Sequence, residues 1–461
     1  MDVSRRRFIF SVAALRLLGG CATSPHGTDA KYPPIVFVHG NGDSAALWLT
    51  TIWRFESNGW PHERLFAGDL PYPYMRVNDD EPQEGHSSST EHMEFLAAQV
   101  DAALHATGAD KVVLIGNSRG GYAIRNYIKN GGGARRVSHA ILGGTANHGA
   151  FSSLEYRPRS EKNALGPLLV ELNAPQGAKG EEVTPGVQWM TIRSDVNDLF
   201  SQPVWMFGPL KGKPTGVGYD SPALVGAENI VLPGVDHMQT SYGPLAFAHA
   251  YRFITGQTPA TLEVTPQPQV ALSGKVFGLG LDNDPATGDF ENNLPLVGAT
   301  VEVYGVDGST GERIGAALLK QNVGTDGRWG PVMTDSHSAL EFVIAEPRYP
   351  TMHIYRSPFA RSSEVVHLQA WVFDKDKPQA DALVIMVRPR GFFTIPRDKA
   401  IFDGVSPPPG TVPGVGVENV SALRLNETGM RAITAEFNGE RVTGRTWPMR
   451  ENHLVVLEVH Q

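Results

Sequence analysis

Cysteine is almost missing from this chain: 461 residues hold a single one, Cys21. With no second thiol there is no internal disulfide, so folding rests on burial and hydrogen bonding in any redox compartment. Metal-ligand spacings are missing as well, since neither an H-E-x-x-H pattern nor clustered cysteines occur, and no metal site is expected. Asp282-Asn283-Asp284 is acidic enough to suggest a calcium loop, but Ala286 and Thr287 stand where an EF-type loop needs a ligand and a glycine, and a solvated loop is expected. There is no basic stripe: the formal charge is -8, and no lysine/arginine run is interleaved with aromatics beyond the first few residues, so nucleic acid is not expected as a partner. No long internal repeat is present. What is there describes a soluble globular protein, with 41% hydrophobic and 19% charged residues, and 50 glycines and 34 prolines to make turns. The length predicts two or three globular units, one of them large.

The first two hundred and fifty or so residues have the grammar of a parallel sheet covered on both faces. Pro34-Ile35-Val36-Phe37-Val38 is an apolar run of strand length that closes on His39-Gly40-Asn41-Gly42. Met93, Leu96, Ala97, Val100, Ala103 and Leu104 recur at helical spacing between Thr90 and Gly108. Strands are predicted at Lys111–Ile115, Ser138–Leu142, Val187–Arg193 and Ile230–Leu232, with helices from Gly120 to about Lys129 and from Leu245 to Ile254. The grammar then changes. Thr258-Pro259 and Thr265-Pro266-Gln267-Pro268 make a stiff extended linker. Beyond it the apolar pattern has period two, as in Ala299-Thr300-Val301-Glu302-Val303-Tyr304, with turns at Asp307-Gly308 and Asp326-Gly327, so an all-β region follows. The units expected are 1–21, 22–32 (a connector), 33–257 (α/β), 269–355 (a β-sandwich resembling transthyretin-like folds) and 364–461 (a second β unit that packs on the first or merges with it).

The chemistry concentrates in Gly116-Asn117-Ser118-Arg119-Gly120, which fits G-x-S-x-G between a strand and a helix. A nucleophile on so sharp a turn needs small residues two places either side, and Gly116 and Gly120 supply them. The helix that follows offers free N–H groups and partial positive charge to an oxyanion, with the Arg119 N–H as first donor. Asn41 N–H, in the glycine-rich loop after the first strand, is the expected second donor; an ordinary glycine turn is the plainer alternative there. The base is expected at His237, one short loop after Ile230–Leu232 and just before the closing helix. For the acid, Asp198 is preferred over Asp195, because Leu199-Phe200 follows it directly; the other of the two is then a turn or cap residue. Asp236 is too near His237 in sequence to orient it. Within the insertion 151–183, Leu165–Leu172 would make a short apolar lid, with plain core as the alternative.

Two resemblances add to this. Ser4-Arg5-Arg6-Arg7-Phe8-Ile9 and Leu18-Gly19-Gly20-Cys21 resemble a twin-arginine export signal ending in a lipoprotein box, although Arg16 interrupts the apolar stretch. This implies export to the periplasm, the outer membrane or the exterior, folded cargo, and a lipid on Cys21 that would tie the chain to a membrane. The glycine loop, the Gly116–Gly121 turn, the Ser194–Phe200 loop and Asp236-His237 are similar to microbial lipases and esterases of the α/β-hydrolase superfamily. The order of domains resembles two-domain archaeal long-chain lipases with a C-terminal β-domain. Asn117 departs from the histidine common there. The resemblance implies a cofactor-free serine hydrolase that cleaves carboxylic esters of lipids through an acyl-enzyme on Ser118, with His237 as base and Asp198 stabilising the imidazolium. Two alternatives remain: an extracellular polyester (polyhydroxyalkanoate) depolymerase, and a non-catalytic surface lipoprotein on a hydrolase scaffold.

Overall fold

The computed structural model describes residues 32–279, 291–372, 380–427 and 429–460. The residues that resemble an export signal, Cys21 among them, and the acidic triplet at 282–284 lie outside the described residues.

Six parallel strands form the first sheet, in spatial order β2-β1-β3-β4-β5-β6. They are β1 (Ile35–Val38), β2 (Leu65–Ala67), β3 (Val112–Asn117), β4 (Val137–Gly143), β5 (Gln188–Ser194) and β6 (Glu228–Leu232). β1 shows why both faces must be covered. Ile35 and Phe37 enter one core with α1 (Leu49–Ser57) and a later helix, Pro244–Thr255, while Val36 and Val38 enter another with α2 (Ser89–Thr107) and α3 (Arg119–Lys129). Alternating side chains that are all apolar leave no face for water. α2 starts where Ser88 and Glu91 form a reciprocal capping box and stops at Gly108 in the left-handed conformation. Between β4 and β5 lies a short helix, α4 (Pro167–Leu172); after β6 come α5 (Gln239–Tyr242) and α6 (Pro244–Thr255). α1 and the edge strand β2 were not anticipated from the sequence; α1 shows five buried residues in nine but carries Thr, Trp and Phe, weak helix formers.

The β region is β7 (Gln269–Leu279), β8 (Glu291–Pro295), β9 (Thr300–Val306), β10 (Leu319–Asn322), β11 (Arg328–Asp335), β12 (Ala339–Ala345) and β13 (Thr351–Arg356), followed by β14 (Leu368–Ala370), β15 (Ala382–Val387), β16 (Ala400–Phe402), β17 (Val420–Leu425), β18 (Ala432–Phe437), β19 (Glu440–Arg445) and β20 (His453–Glu458). Of the two arrangements left open for 364–461, packing on the first β unit or merging with it, the strand pairing shows the second. β20, from the far end of the chain, pairs in parallel with both β13 and β15, so the two expected units share one seven-stranded sheet, β10-β9-β12-β13-β20-β15-β17. Period-two burial explains the merger. Leu454 and Val456 face the core shared with β7, β11 and β14, while Val455 and Leu457 face the small sheet of β16, β18 and β19. The α/β unit is joined to this stack: Leu49 and Trp53 of α1 enter the larger β core, and Trp53 Nε1 donates to Ser362 O at 2.9 Å.

Candidate active site

Because the strands of the first sheet are parallel, the loops leaving β1, β3, β5 and β6 all emerge at one edge. Those loops carry Asn41, Ser118, Asp198 and His237, so four residues nearly two hundred positions apart converge without any further device.

Ser118 takes the turn between β3 and α3 at φ 50, ψ -118, a conformation that costs a non-glycine residue about 1–3 kcal/mol. The turn is held from outside: Ser118 N donates to Gly143 O at 2.8 Å and Thr145 Oγ1 donates to Ser118 O at 2.9 Å. The flanking glycines are required by close approach. A Cβ on Gly120 would meet the carbonyl oxygens of Val38 and His39, and one on Gly116 the Ile124 side chain and the α3 backbone. The Arg119 N–H heads α3. Its side chain does something else, which the sequence did not announce: fully buried, it donates to Glu161 at 2.7 Å, to Pro73 O and Ser87 Oγ at 2.9 Å, and to Ser87 O at 2.7 Å. It thereby pins two loops around the site. Asn41 uses its side-chain oxygen to accept Met75 N–H at 2.8 Å, which fixes the loop whose backbone faces Ser118. Underneath, burial pushes the His39 imidazole down to about 4, so it stays neutral, accepting Leu70 N–H at Nε2 (3.1 Å) and donating from Nδ1 to Gly40 O (2.9 Å).

His237 and Asp198 are both buried and meet at 2.9 Å, Nδ1 to Oδ1. Asp198 is itself fixed by Phe200 N–H at 2.8 Å, and Phe200 stacks edge-on against the His237 ring at 4.6 Å. Asp195 sits elsewhere. It accepts N–H groups from Val196 (2.6 Å) and Gly234 (3.2 Å), tying the β5 and β6 loops together; partial burial opposes ionisation, but these bonds lower its carboxyl below the usual range. Asp236, set aside from the sequence as an orienting acid, has another task. Its buried carboxylate caps Met238 and Gln239 N–H at 3.0 Å each and is bound by Arg388 at 2.5 Å and Arg397 at 3.4 Å, both from the β region. Burial alone would raise Asp236, but the two guanidinium groups outweigh it and hold it below the carboxylate range. The residue before His237 is therefore bolted to the other half of the molecule. A second bolt is Asp69, which takes Lys275 Nζ at 2.6 Å and His367 Nε2 at 3.0 Å.

Ser118 and His237 open into one cavity of about 390 Å³ whose walls come from both halves. The α/β side contributes Asn41, Asp43, Lys162 and Phe200, and the β region contributes apolar groups such as Met352, Ile354, Trp371 and Val456. Leu165–Leu172, for which a lid and plain core were both open, contributes nothing to it: Leu169 and Leu172 pack on Tyr122 of α3, and Arg125 holds Leu172 O at 3.0 Å. Among the described residues no group of three His, Cys, Asp or Glu side chains could hold a metal.

Residues 32–157 match the sequence model for class 2 lipases, and residues 268–371 that for a lipase C-terminal domain. Over these two stretches the chain is similar to class 2 lipases and to a lipase C-terminal domain. Solved structures similar to it include Aspergillus fumigatus lipase B (18% identity, 52% of this chain and 57% of that chain covered, TM-score 0.34). Bacillus licheniformis lipase BlEst2 in propeptide form aligns at 14% identity over 68% of this chain and 90% of that one, TM-score 0.35. Phospholipase PlaB from Legionella pneumophila aligns at 13% identity over 75% and 97%, TM-score 0.32.

Proposed function

We propose that this protein is an exported serine hydrolase that cleaves carboxylic esters of lipids through an acyl-enzyme on Ser118. The observation that carries the proposal is the buried Asp198–His237 pair at 2.9 Å opening onto the same cavity as a serine held at positive φ. His237, its Nδ1–H committed to Asp198, leaves Nε2 to take the Ser118 proton as the hydroxyl attacks the ester carbonyl. The Arg119 and Asn41 N–H groups receive the oxyanion. Proton return from His237 releases the alcohol, and water then repeats the sequence to release the acid. Asp198 stabilises the imidazolium at each pass.

A cavity of about 390 Å³ walled from two sides, with Met352, Ile354, Trp371 and Val456 among its β-region lining, favours a single acyl chain over a polymer strand, which needs an open shallow groove. That the fold maintains a strained backbone at Ser118 argues for catalysis over a bystander scaffold. Export and a lipid on Cys21 belong to the same proposal and rest on the residues of the signal. A chain-length series of nitrophenyl esters, run beside triolein and polyester films, tests the activity: hydrolysis of medium or long acyl esters that disappears in Ser118→Ala is expected, and activity surviving that substitution overturns the assignment.

A further inference from the structure

One charged side chain on the wall of the Ser118 cavity is left without a counter-ion. Lys162 is half-buried and lines the cavity together with Tyr74, Phe200 and His237. Among the described residues its ammonium makes no hydrogen bond or ion pair, and it is not sealed from solvent. It lies over the Phe200 ring, 5.0 Å from the centroid, and that ring stands 4.6 Å from the His237 imidazole. The cation is therefore within two ring contacts of the base. Its place is fixed by neighbours: Lys162 O accepts Ala150 N–H at 2.9 Å, and Glu161 is held by Arg119, the residue after the nucleophile.

The surroundings do not neutralise this charge. The groups that act on Lys162 are Glu161, Arg119 and Arg157; Glu161 is spent on Arg119 at 2.7 Å, which leaves the neighbourhood net positive. Two acids line the cavity. Glu458 is paired with Arg356 at 2.6 Å, and burial pushes Asp43 up to about 7, so that it carries only part of a charge near neutrality. Burial pushes the Lys162 ammonium down to about 8, and it stays charged at neutral pH. A partly desolvated cation without a counter-charge costs free energy that an anion entering the cavity would recover.

We propose that Lys162 holds an anionic group carried by the ester substrate a few bonds from the scissile carbonyl, so that the enzyme selects anionic acyl esters over neutral ones. The proposal rests on the Ser118 hydrolase reading and adds a substrate class to it. A lysine ammonium is a point charge with three donors on a flexible stem, and it suits a phosphate or a carboxylate without demanding a fixed plane. The anion therefore has two chemical sources: a phosphate on the alcohol part, as in a glycerophospholipid, or a carboxylate on the acyl part, as in the monoester of a dicarboxylic acid.

The test measures kcat/KM of the full chain on two matched pairs, 1-octanoylglycerol 3-phosphate against 1-octanoylglycerol and monomethyl glutarate against methyl pentanoate. In at least one pair the anionic ester should be preferred, and that pair identifies the source. Lys162→Met keeps the stem over Phe200 and removes the charge; the anionic-to-neutral ratio should fall on the order of tenfold to a hundredfold. Lys162→Arg, which keeps the charge, should retain most of the ratio. Each ratio compares two substrates on one preparation, so partial unfolding of a variant cancels, and Lys162→Gln repeats the reading if Lys162→Met melts early. Hydrolysis with no anionic preference in either pair, or with a preference that Lys162→Met leaves in place, overturns the subsite and leaves the hydrolase standing. Hydrolysis of none of the four esters overturns both.

Discussion

Replacing Arg388 with methionine should destabilise the protein and should do so most at neutral pH. Arg388 is 1% exposed and donates to the Asp236 carboxylate, to Phe392 O at 2.8 Å and to Tyr242 Oη at 2.8 Å. Methionine fills much of the stem's volume, so the loss is chiefly that of the charge. What remains around Asp236 is Arg397 at 3.4 Å and the N–H groups of Met238, Gln239 and Phe392. Breaking a buried pair costs about 3–5 kcal/mol, and the surviving Arg397 places this case near ~3 kcal/mol. The pH dependence follows from the sign of the shift. In the native protein Asp236 titrates below its ordinary value, so its contribution to stability is present above about pH 4 and lost as pH falls through the native pKa. In the variant, a buried carboxylate short of a partner takes up a proton in the folded state, so the deficit relative to the parent is largest at pH 7 and shrinks on acidification. Urea unfolding followed by tryptophan fluorescence at pH 7 and near pH 4.5 measures both numbers. A deficit below about 1 kcal/mol, or one equal at the two pH values, refutes the claim that the β region bolts the His237 loop through this pair.

Asp198→Asn should lower kcat on nitrophenyl esters by about 10³–10⁴-fold, while Asp195→Asn, which touches only the β5 and β6 loops, should cost under about tenfold; the two rates measured side by side decide between the carboxylates. Gly120→Ala should destabilise by about 2 kcal/mol or more, because its methyl meets backbone carbonyls that cannot rotate away, and a thermal melt checks it. On the acid side, burial lowers His39 to about 4 and His92 well below its ordinary value, so the unfolded chain binds protons that the native state refuses. Stability should therefore fall between pH 6.5 and about 4, by roughly 3 kcal/mol for His39 alone. His39→Gln should remove that share of the slope in a pH series of unfolding curves. For the amino terminus, expressed protein should incorporate radiolabelled palmitate and Cys21→Ala should not; equal labelling of the two would contradict a lipid on that thiol.

The parts of this structure that the sequence made legible are those where local pattern and global position coincide. β1, β3, β4 and β5 are buried on both faces, so their apolar runs stand out without periodicity analysis. Ser118 could be singled out because G-x-S-x-G lay between a strand and a helix. His237 and Asp198 could be singled out because a parallel sheet delivers successive strand ends to one edge. The contacts that stayed hidden are long-range. Nothing in Arg388-Pro389-Arg390 points to Asp236 or Ala46, which lie some hundreds of residues earlier, and no local rule places β20 between β13 and β15. Leu165–Leu172 stayed open between lid and core for a related reason: an apolar stripe looks the same whether it covers a cavity or packs on a neighbouring helix, and the buried faces of Leu169 and Leu172 belong to Tyr122. Arg119 carried a double signal. Its backbone place was visible in the motif, while its guanidinium, spent on Glu161 and the Ser87 loop, depended on segments whose approach no local pattern encodes.

Mass-spectrometric mapping of a fluorophosphonate adduct on the intact chain tests the arrangement at the sheet edge most directly. One adduct on the peptide containing Ser118 is predicted, formed quickly in the parent and slowed by orders of magnitude in His237→Ala. An adduct on a different serine, or labelling of Ser118 at an unchanged rate without the imidazole, contradicts it.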